Sequence, residues 1–475
     1  MNRLWGCQSR TRFQESELAI DVSKYMPEDA AFYRNDALSP AIAKMAGSRI
    51  LAVAQEVKEL QAKGVEICDV SIGDYDPTSY LAPQSFLDVL TEEIQAGRNH
   101  YPPSDGLLTL REALSSFYEN TLGVKWAPIQ FVVCGGAWPP IYAIFRTLVS
   151  EGDEVVYGVP SWNNDYYVHL CGGVNVPIQT TANDNFLPTV SQVREHISTA
   201  RLICLCSPLN PTGTVFDAET LTGICQLIVA ENKKRLLEGR RLLYLMFDQV
   251  YWPLTFDRDH VHPLQTVPEI APYVIYVDAI SKWMVGTGLR LGWAIVPTYL
   301  YNPMKDFMGH VGAWAPRPVQ MATAATLRDP DALRVYWAGL RAALETRLNL
   351  IYNRVLAMYN SGLPVDCTVP QGAIYASVQI RLFGAEVAPG QYLRTNNEIR
   401  KYLLHEARIA LTPFQAFSLW EESGWFRMSV GSVSEADLMA GMDRLEAAIR
   451  KVSLRGECAS TRPVPSVPAS RPLPG

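Results

Sequence analysis

The sequence has no CxxC pair, no apolar span of the ~20 residues that a membrane-crossing helix needs, no internal repeat and no large excess of charge. Each absence removes a class of function. Nine cysteines, an odd number, lie scattered from Cys7 to Cys458, which argues against a disulfide framework. Cys204 and Cys206 alternate inside the apolar run 202–206, so a buried strand is their expected home and no metal site is expected. Residues 1–14 are polar with several arginines and lack the apolar core of a secretory signal. A reducing cytoplasm is the expected setting, with no membrane partner. A net charge of −6 leaves no electrostatic footprint for nucleic acid, so small molecules are the expected partners.

What is present is a 475-residue chain with 48% hydrophobic and 19% charged residues, the composition of an ordinary globular protein. Single cores stop growing near ~250–300 residues, so two domains are expected. Residues 1–46 are irregular and read as an arm. Ile50, Val53, Ala54, Val57 and Leu60 recur at helical spacing, Lys63-Gly64 stops them, and 65–72 reads as a short strand before Gly73. After Tyr101, apolar runs alternate with amphipathic stretches: 131–133, 154–159, 202–206, 242–247 and 273–277 read as strands, and 107–118, 141–149 and 218–237 as helices. Such alternation predicts βαβ units, hence an α/β fold with a mostly parallel sheet between helices. Ligands of such sheets sit outside the carboxyl ends of the strands. Beyond residue 332 a long helical stretch, short strands near 373–380 and 426–430, and a closing helix 434–452 suggest a smaller α+β domain. The expected division is an arm 1–46, a small domain 47–75 with 332–455, a large domain 76–331, and a proline-rich disordered tail 456–475.

The stretch 278–292 places Lys282 just past the strand 273–277 and Arg290 eight residues on, flanked by Gly288 and Gly292. A lysine at a strand end can form an imine with an aldehyde, and an arginine among glycines suits a bidentate grip on phosphate. An aldehyde that carries a phosphate describes pyridoxal phosphate. A solvated lysine and an ordinary ion-pair arginine would satisfy the same stretch, so other strand ends must decide. Asp248 follows the strand 242–247 and could hold a pyridinium nitrogen protonated; Tyr251 could donate to the ring's phenolic oxygen. Asn210, in Ser207-Pro208-Leu209-Asn210-Pro211-Thr212-Gly213, can donate to the same oxygen. Gly135-Gly136-Ala137-Trp138-Pro139-Pro140 opens a helix whose free amides suit the cofactor phosphate, together with Arg290 and Ser281. Trp162, after the strand 154–159, could stack on the ring.

These motifs, in this order over roughly residues 46–455, resemble the class I/II aminotransferases, the aspartate aminotransferase superfamily of fold-type I pyridoxal phosphate enzymes. The resemblance implies a Schiff base at Lys282, which then removes the substrate α-proton to give a quinonoid. It also implies that Arg427, in Phe426-Arg427-Met428-Ser429, clamps the α-carboxylate and that Gly73 lies beside the substrate. Tyr101, in Tyr101-Pro102-Pro103, resembles the tyrosine that reaches the phosphate of a neighbouring subunit, which implies a homodimer with shared active sites. Transamination of an L-amino acid is the implied reaction. Elimination, replacement or bond formation, for example on S-adenosylmethionine, is the alternative, since it shares the same early steps. The chain departs from the pattern at Ala279, where many relatives have a phosphate-binding serine, and at Trp138, where acidic-substrate relatives carry a lysine. Phe414 and Ser418 stand where glycines are frequent, so the entrance is expected to differ.

Overall fold

The computed structural model describes residues 20–28, 30–45 and 47–452; the polar start and the proline-rich tail lie outside the described residues. The chain separates into two compact units, 1–46 and 47–475. The described part of the first unit holds three short helices, Val22–Tyr25, Ala30–Ala37 and Pro40–Ala43. Ser39 caps the third, whose first residue is a proline with no N–H to leave unpaired.

The second unit is built on a seven-stranded sheet in the order Phe131–Cys134, Gly292–Ile295, Val274–Ala279, Tyr244–Asp248, Ala200–Cys206, Glu154–Val159, Val174–Gln179. Gly292–Ile295 runs antiparallel to both neighbours, and the remaining strands share one direction. Alternate residues of each strand enter two separate cores. Leu245 and Phe247 join Leu114 and Ile224 on one face, while Met246 and Cys204 join Ile144 and Met304 on the other. Burial on both faces explains why these strands read as unbroken apolar runs. Cys204 packs there as a small hydrophobe, its thiol pushed upward in pKa by burial.

A four-stranded antiparallel sheet follows, in the order Thr412–Pro413, Trp425–Ser429, Tyr375–Ile380, Val365–Cys367. It packs against the 31-residue helix Pro330–Asn360, capped by Asp329, and the chain's last described helix is Glu435–Lys451, capped by Ser434. Among the described residues no helix is long and apolar enough to cross a membrane.

Two strands had no clear sequence signal. Val174–Gln179 lies at the sheet edge with an exposed, polar-interrupted pattern, and Gly292–Ile295 is only four residues long. The expected strand 65–72 shrinks to Cys68–Asp69, paired with Ile409–Ala410. The next carbonyls find other donors: Val70 O accepts from Ser429 N at 2.7 Å and Ser71 O from Arg427 Nη2 at 2.5 Å. This bend carries Gly73 into the cleft described next.

Candidate active site

The carboxyl ends of the parallel strands open on a cavity of about 210 Å³. Lys282 reaches it from the helical turn Ile280–Trp283 that ends the strand Val274–Ala279, and its Nζ donates to Gly73 O at 2.6 Å. Asp248 closes the neighbouring strand Tyr244–Asp248. Its Oδ1 accepts from Val250 N at 3.1 Å, and burial pushes the carboxyl up to about 6 against that bond and one from Cys206. Tyr251 sits on the loop beyond, its hydroxyl 2.8 Å from that of Tyr375, and Lys282 Nζ stands 5.9 Å from the centre of its ring.

Asn210 lines the same cleft from the loop after Ala200–Cys206 and accepts from Arg427 Nη1 at 3.1 Å. Arg427, on Trp425–Ser429, is 2% exposed. Its remaining contacts are Ser71 O and the rings of Tyr375 at 4.6 Å and Phe417 at 4.9 Å, and its Nε has no partner. Burial disfavours the charged form and holds its pKa below the usual guanidinium range. A buried guanidinium whose hydrogen bonds go to neutral acceptors, with one donor orphaned, is completed by an anion.

At the other end of the cleft Arg290 adopts a left-handed backbone with φ 55°. Its Nη1 donates to Thr287 O at 2.7 Å and its Nη2 to Gly135 O at 3.1 Å. A Cβ at Gly136 would collide with the guanidinium, so only glycine leaves this cradle open. Ser281, Ala137 and Trp138 line the cleft; Gly136 stands behind Arg290 rather than in the lining. Pro139 and Pro140 occupy the first turn of Trp138–Leu148, so the amides available there reduce to those ahead of them. Ala279 is fully buried and outside the lining, its N–H given to the Asp278 carboxylate at 2.7 Å. Trp162 lines the cleft with its ring centre 5.0 Å from that of Trp138.

Of the expected residues, Gly136 and Tyr101 lie outside the lining, and Tyr101 touches neither the cleft nor Arg290. It is 83% exposed and its ring meets Trp314 edge-on at 5.2 Å. Conversely, Tyr375, Phe417 and the Ser71 carbonyl gave no signal in the sequence, because their place depends on the second sheet meeting the first. Phe414 is buried and outside the lining, and Ser418 takes a left-handed φ of 64°, the conformation that glycine adopts without cost.

These residues fit pyridoxal phosphate on their own chemistry. An amine, a carboxylate able to face a ring nitrogen, an arginine cradle kept open by Gly136, and an orphaned guanidinium for a carboxylate share one cavity. The sequence pattern of one protein family, described as "Aminotransferase class I and II", matches residues 65–445. The chain is 29% identical over 383 residues to an aspartate aminotransferase of Geobacillus stearothermophilus, covering 80% of this chain and 91% of that one. It is 25% identical over 409 residues to an aspartate/prephenate aminotransferase of Thermus thermophilus, covering 86% and 97%. The crystal structure of an aspartate aminotransferase from Rhizobium meliloti superposes with a TM-score of 0.78 at 24% identity, over 88% of this chain and 99% of that one. The fold is thus that of the aspartate aminotransferases, and the two named sequence relatives favour transamination over elimination or replacement. With a family pattern spanning most of its length, the chain belongs to the class I and II aminotransferases.

Proposed function

We propose that the protein is a pyridoxal 5'-phosphate-dependent aminotransferase for an L-amino acid with an apolar or aromatic side chain. The observation that carries this reading is the convergence of Lys282, Asp248 and the incompletely partnered Arg427 on one cleft. When bound, the cofactor supplies an aldehyde that takes up the amino group and a protonated pyridine that draws electrons from the substrate's α-carbon.

The protein's part follows from placement. Lys282 would hold the cofactor covalently; once displaced, its Nζ would take the proton from the substrate α-carbon and deliver it to the cofactor carbon that had been the aldehyde. The Gly73 carbonyl, 2.6 Å from Nζ, orients that amine. Asp248 would face the ring nitrogen, Asn210 and Tyr251 the phenolic oxygen, and Trp162 the ring face. Arg290, Ser281 and the amides around Gly136, Ala137 and Trp138 would hold the phosphate. Arg427 grips the substrate α-carboxylate, with Gly73 beside it. Tyr101 extends to the phosphate of a second subunit in a homodimer, a reading supported by its high exposure. The strands of the second unit fall into separate sheets, which supports a large domain 76–331 and a small domain 47–75 with 332–455. A cytoplasmic setting accords with seven free thiols among the described residues.

The side-chain preference rests on charge. The cations lining the cleft are Lys282, Arg290 and Arg427, each with a role already, and Trp138, also in the lining, is 57% exposed and carries no charge. Nothing in this lining pairs with a distal carboxylate. A single-turnover screen of the holoenzyme tests both parts. Phenylalanine, tyrosine and leucine should bleach the cofactor's visible band and release 2-oxo acids faster than aspartate. Preference for aspartate would overturn the side-chain assignment. A band that persists in Lys282→Ala would overturn the role of Lys282.

A further inference from the structure

A second buried carboxylate near the cleft has no role in the reaction as described. Asp278 lies four residues before Lys282 and is fully buried. Its Oδ1 accepts from Trp283 Nε1 at 2.9 Å and Ala279 N at 2.7 Å. Its Oδ2 accepts from Tyr118 Oη at 2.6 Å and Trp252 Nε1 at 2.8 Å. Indole and backbone N–H groups only donate. Tyr118 Oη accepts from Trp293 Nε1 at 2.9 Å, which leaves its own proton for Asp278. Each carboxylate oxygen therefore accepts two bonds, and every partner donates in this arrangement. Burial raises the carboxyl to about 7, and these donors oppose the rise.

Two of the donors are chain neighbours of cleft residues. Trp283 follows Lys282, and Trp252 follows Tyr251 on a loop leaving a different strand. One anion thus ties together the two backbone segments whose side chains meet in the cleft, where Lys282 Nζ lies 5.9 Å from the Tyr251 ring centre. The tie is seated in packed aromatics: Phe117 stacks on Trp283 at 5.8 Å, and Trp337 Nε1 donates to Trp283 O at 3.1 Å.

We propose that Asp278 is a positioning residue for the reaction, a buried clamp that fixes the Lys282 turn relative to the Tyr251 loop. The proposal rests on reading Lys282 as the cofactor lysine. The plain alternative is a satisfied core carboxylate that serves stability alone. Asp278→Asn separates the two, because its amide must turn an NH₂ toward one pair of donors. The Oδ2 side accommodates it better, since Tyr118 Oη can accept, and Trp252 Nε1 then loses its partner.

The test compares holoenzyme of the parent, Asp278→Asn and Trp293→Phe by melting temperature, by kcat and KM, and by the pH midpoint of the bound cofactor's visible absorbance. Trp293→Phe removes a bond two steps from the carboxylate and serves as the stability control. We expect Asp278→Asn to lower kcat about ten-fold or more, to change KM less than about three-fold, and to shift the midpoint. Trp293→Phe should melt earlier with the parent's midpoint. If Asp278→Asn does not fold, Trp252→Phe takes its place with the same expected shift. An unchanged midpoint in the tested variant, or the same shift in Trp293→Phe, overturns the proposal. A parent with no visible band fails the Lys282 reading and overturns the proposal with it, whereas a parent band that the variants leave unmoved overturns the proposal alone.

Discussion

Arg427 is the residue with most to gain from a ligand. It is buried, its partners are the neutral Asn210 Oδ1 and Ser71 O, and Nε is orphaned. Lysine keeps the charge but loses the planar fork. Arg427→Lys is therefore expected to raise KM for the amino acid by about ten-fold or more while lowering kcat less, as read from steady-state rates. Asp248 gives a pH prediction. In the cofactor-free protein its pKa is raised to about 6, so its contribution to stability is full below about pH 4 and is lost as pH rises through about 6. A protonated pyridine opposite it reverses that loss. The gain in melting temperature on adding pyridoxal phosphate should thus be larger near pH ~7.5 than near pH ~5.5, and Asp248→Asn should flatten the difference. Equal gains at both pH values would contradict the facing of Asp248 and the ring nitrogen. At this scale the sequence was legible for groups that carry chemistry in their own side chain at a strand end. It was silent on Tyr375, an aromatic residue in a strand, because its work comes from what it touches: Tyr251, Arg427 and the space over Gly73.

Among the elements, the four-residue strand Gly292–Ile295 matters beyond its length. It runs antiparallel between Phe131–Cys134 and Val274–Ala279, and so joins the strand leading to Gly136 with the strand leading to Lys282. A Cβ on Gly292 would lie 2.5 Å from the carbonyl carbon of Gly136, a backbone atom with no rotamer to move away. Gly292→Ala should destabilise the fold by about 1–3 kcal/mol and weaken cofactor binding, measurable by thermal melting and by pyridoxal phosphate titration. A parent-like affinity would show that the cradle tolerates the shift. Long buried strands and amphipathic helices were readable in the sequence, since burial on two faces and apolar residues at helical spacing leave marks in residue type. This strand was not, because four residues hold too little periodicity and its direction is set by its neighbours.

On the scale of the whole molecule, the prediction concerns assembly. Tyr101 is 83% exposed and outside its own cleft, while the cradle near Gly136 loses two amide donors to Pro139 and Pro140. A phosphate held with fewer donors from one chain depends more on a donor from another. Sedimentation should therefore give a dimer, and Tyr101→Phe should weaken cofactor retention several-fold in dialysis without dissociating it. A fully active monomer would refute this.

The sequence by itself determined most of the strands and helices of the parallel sheet, the placing of Lys282, Asp248 and Asn210 at strand ends with Arg290 eight residues past Lys282, and the kind of cofactor those groups suit. Those properties are local: periodicity, turn chemistry and functional groups are written in consecutive residues. Only the tertiary structure decided that Arg427 would be buried with an unsatisfied Nε, that Tyr375 would bridge Tyr251 and Gly73, and that Asp278 would gather two tryptophans behind the cleft. The residues of each set come from segments far apart in the chain. Their chemistry is fixed by the desolvation and hydrogen bonding that begin only when those segments pack together.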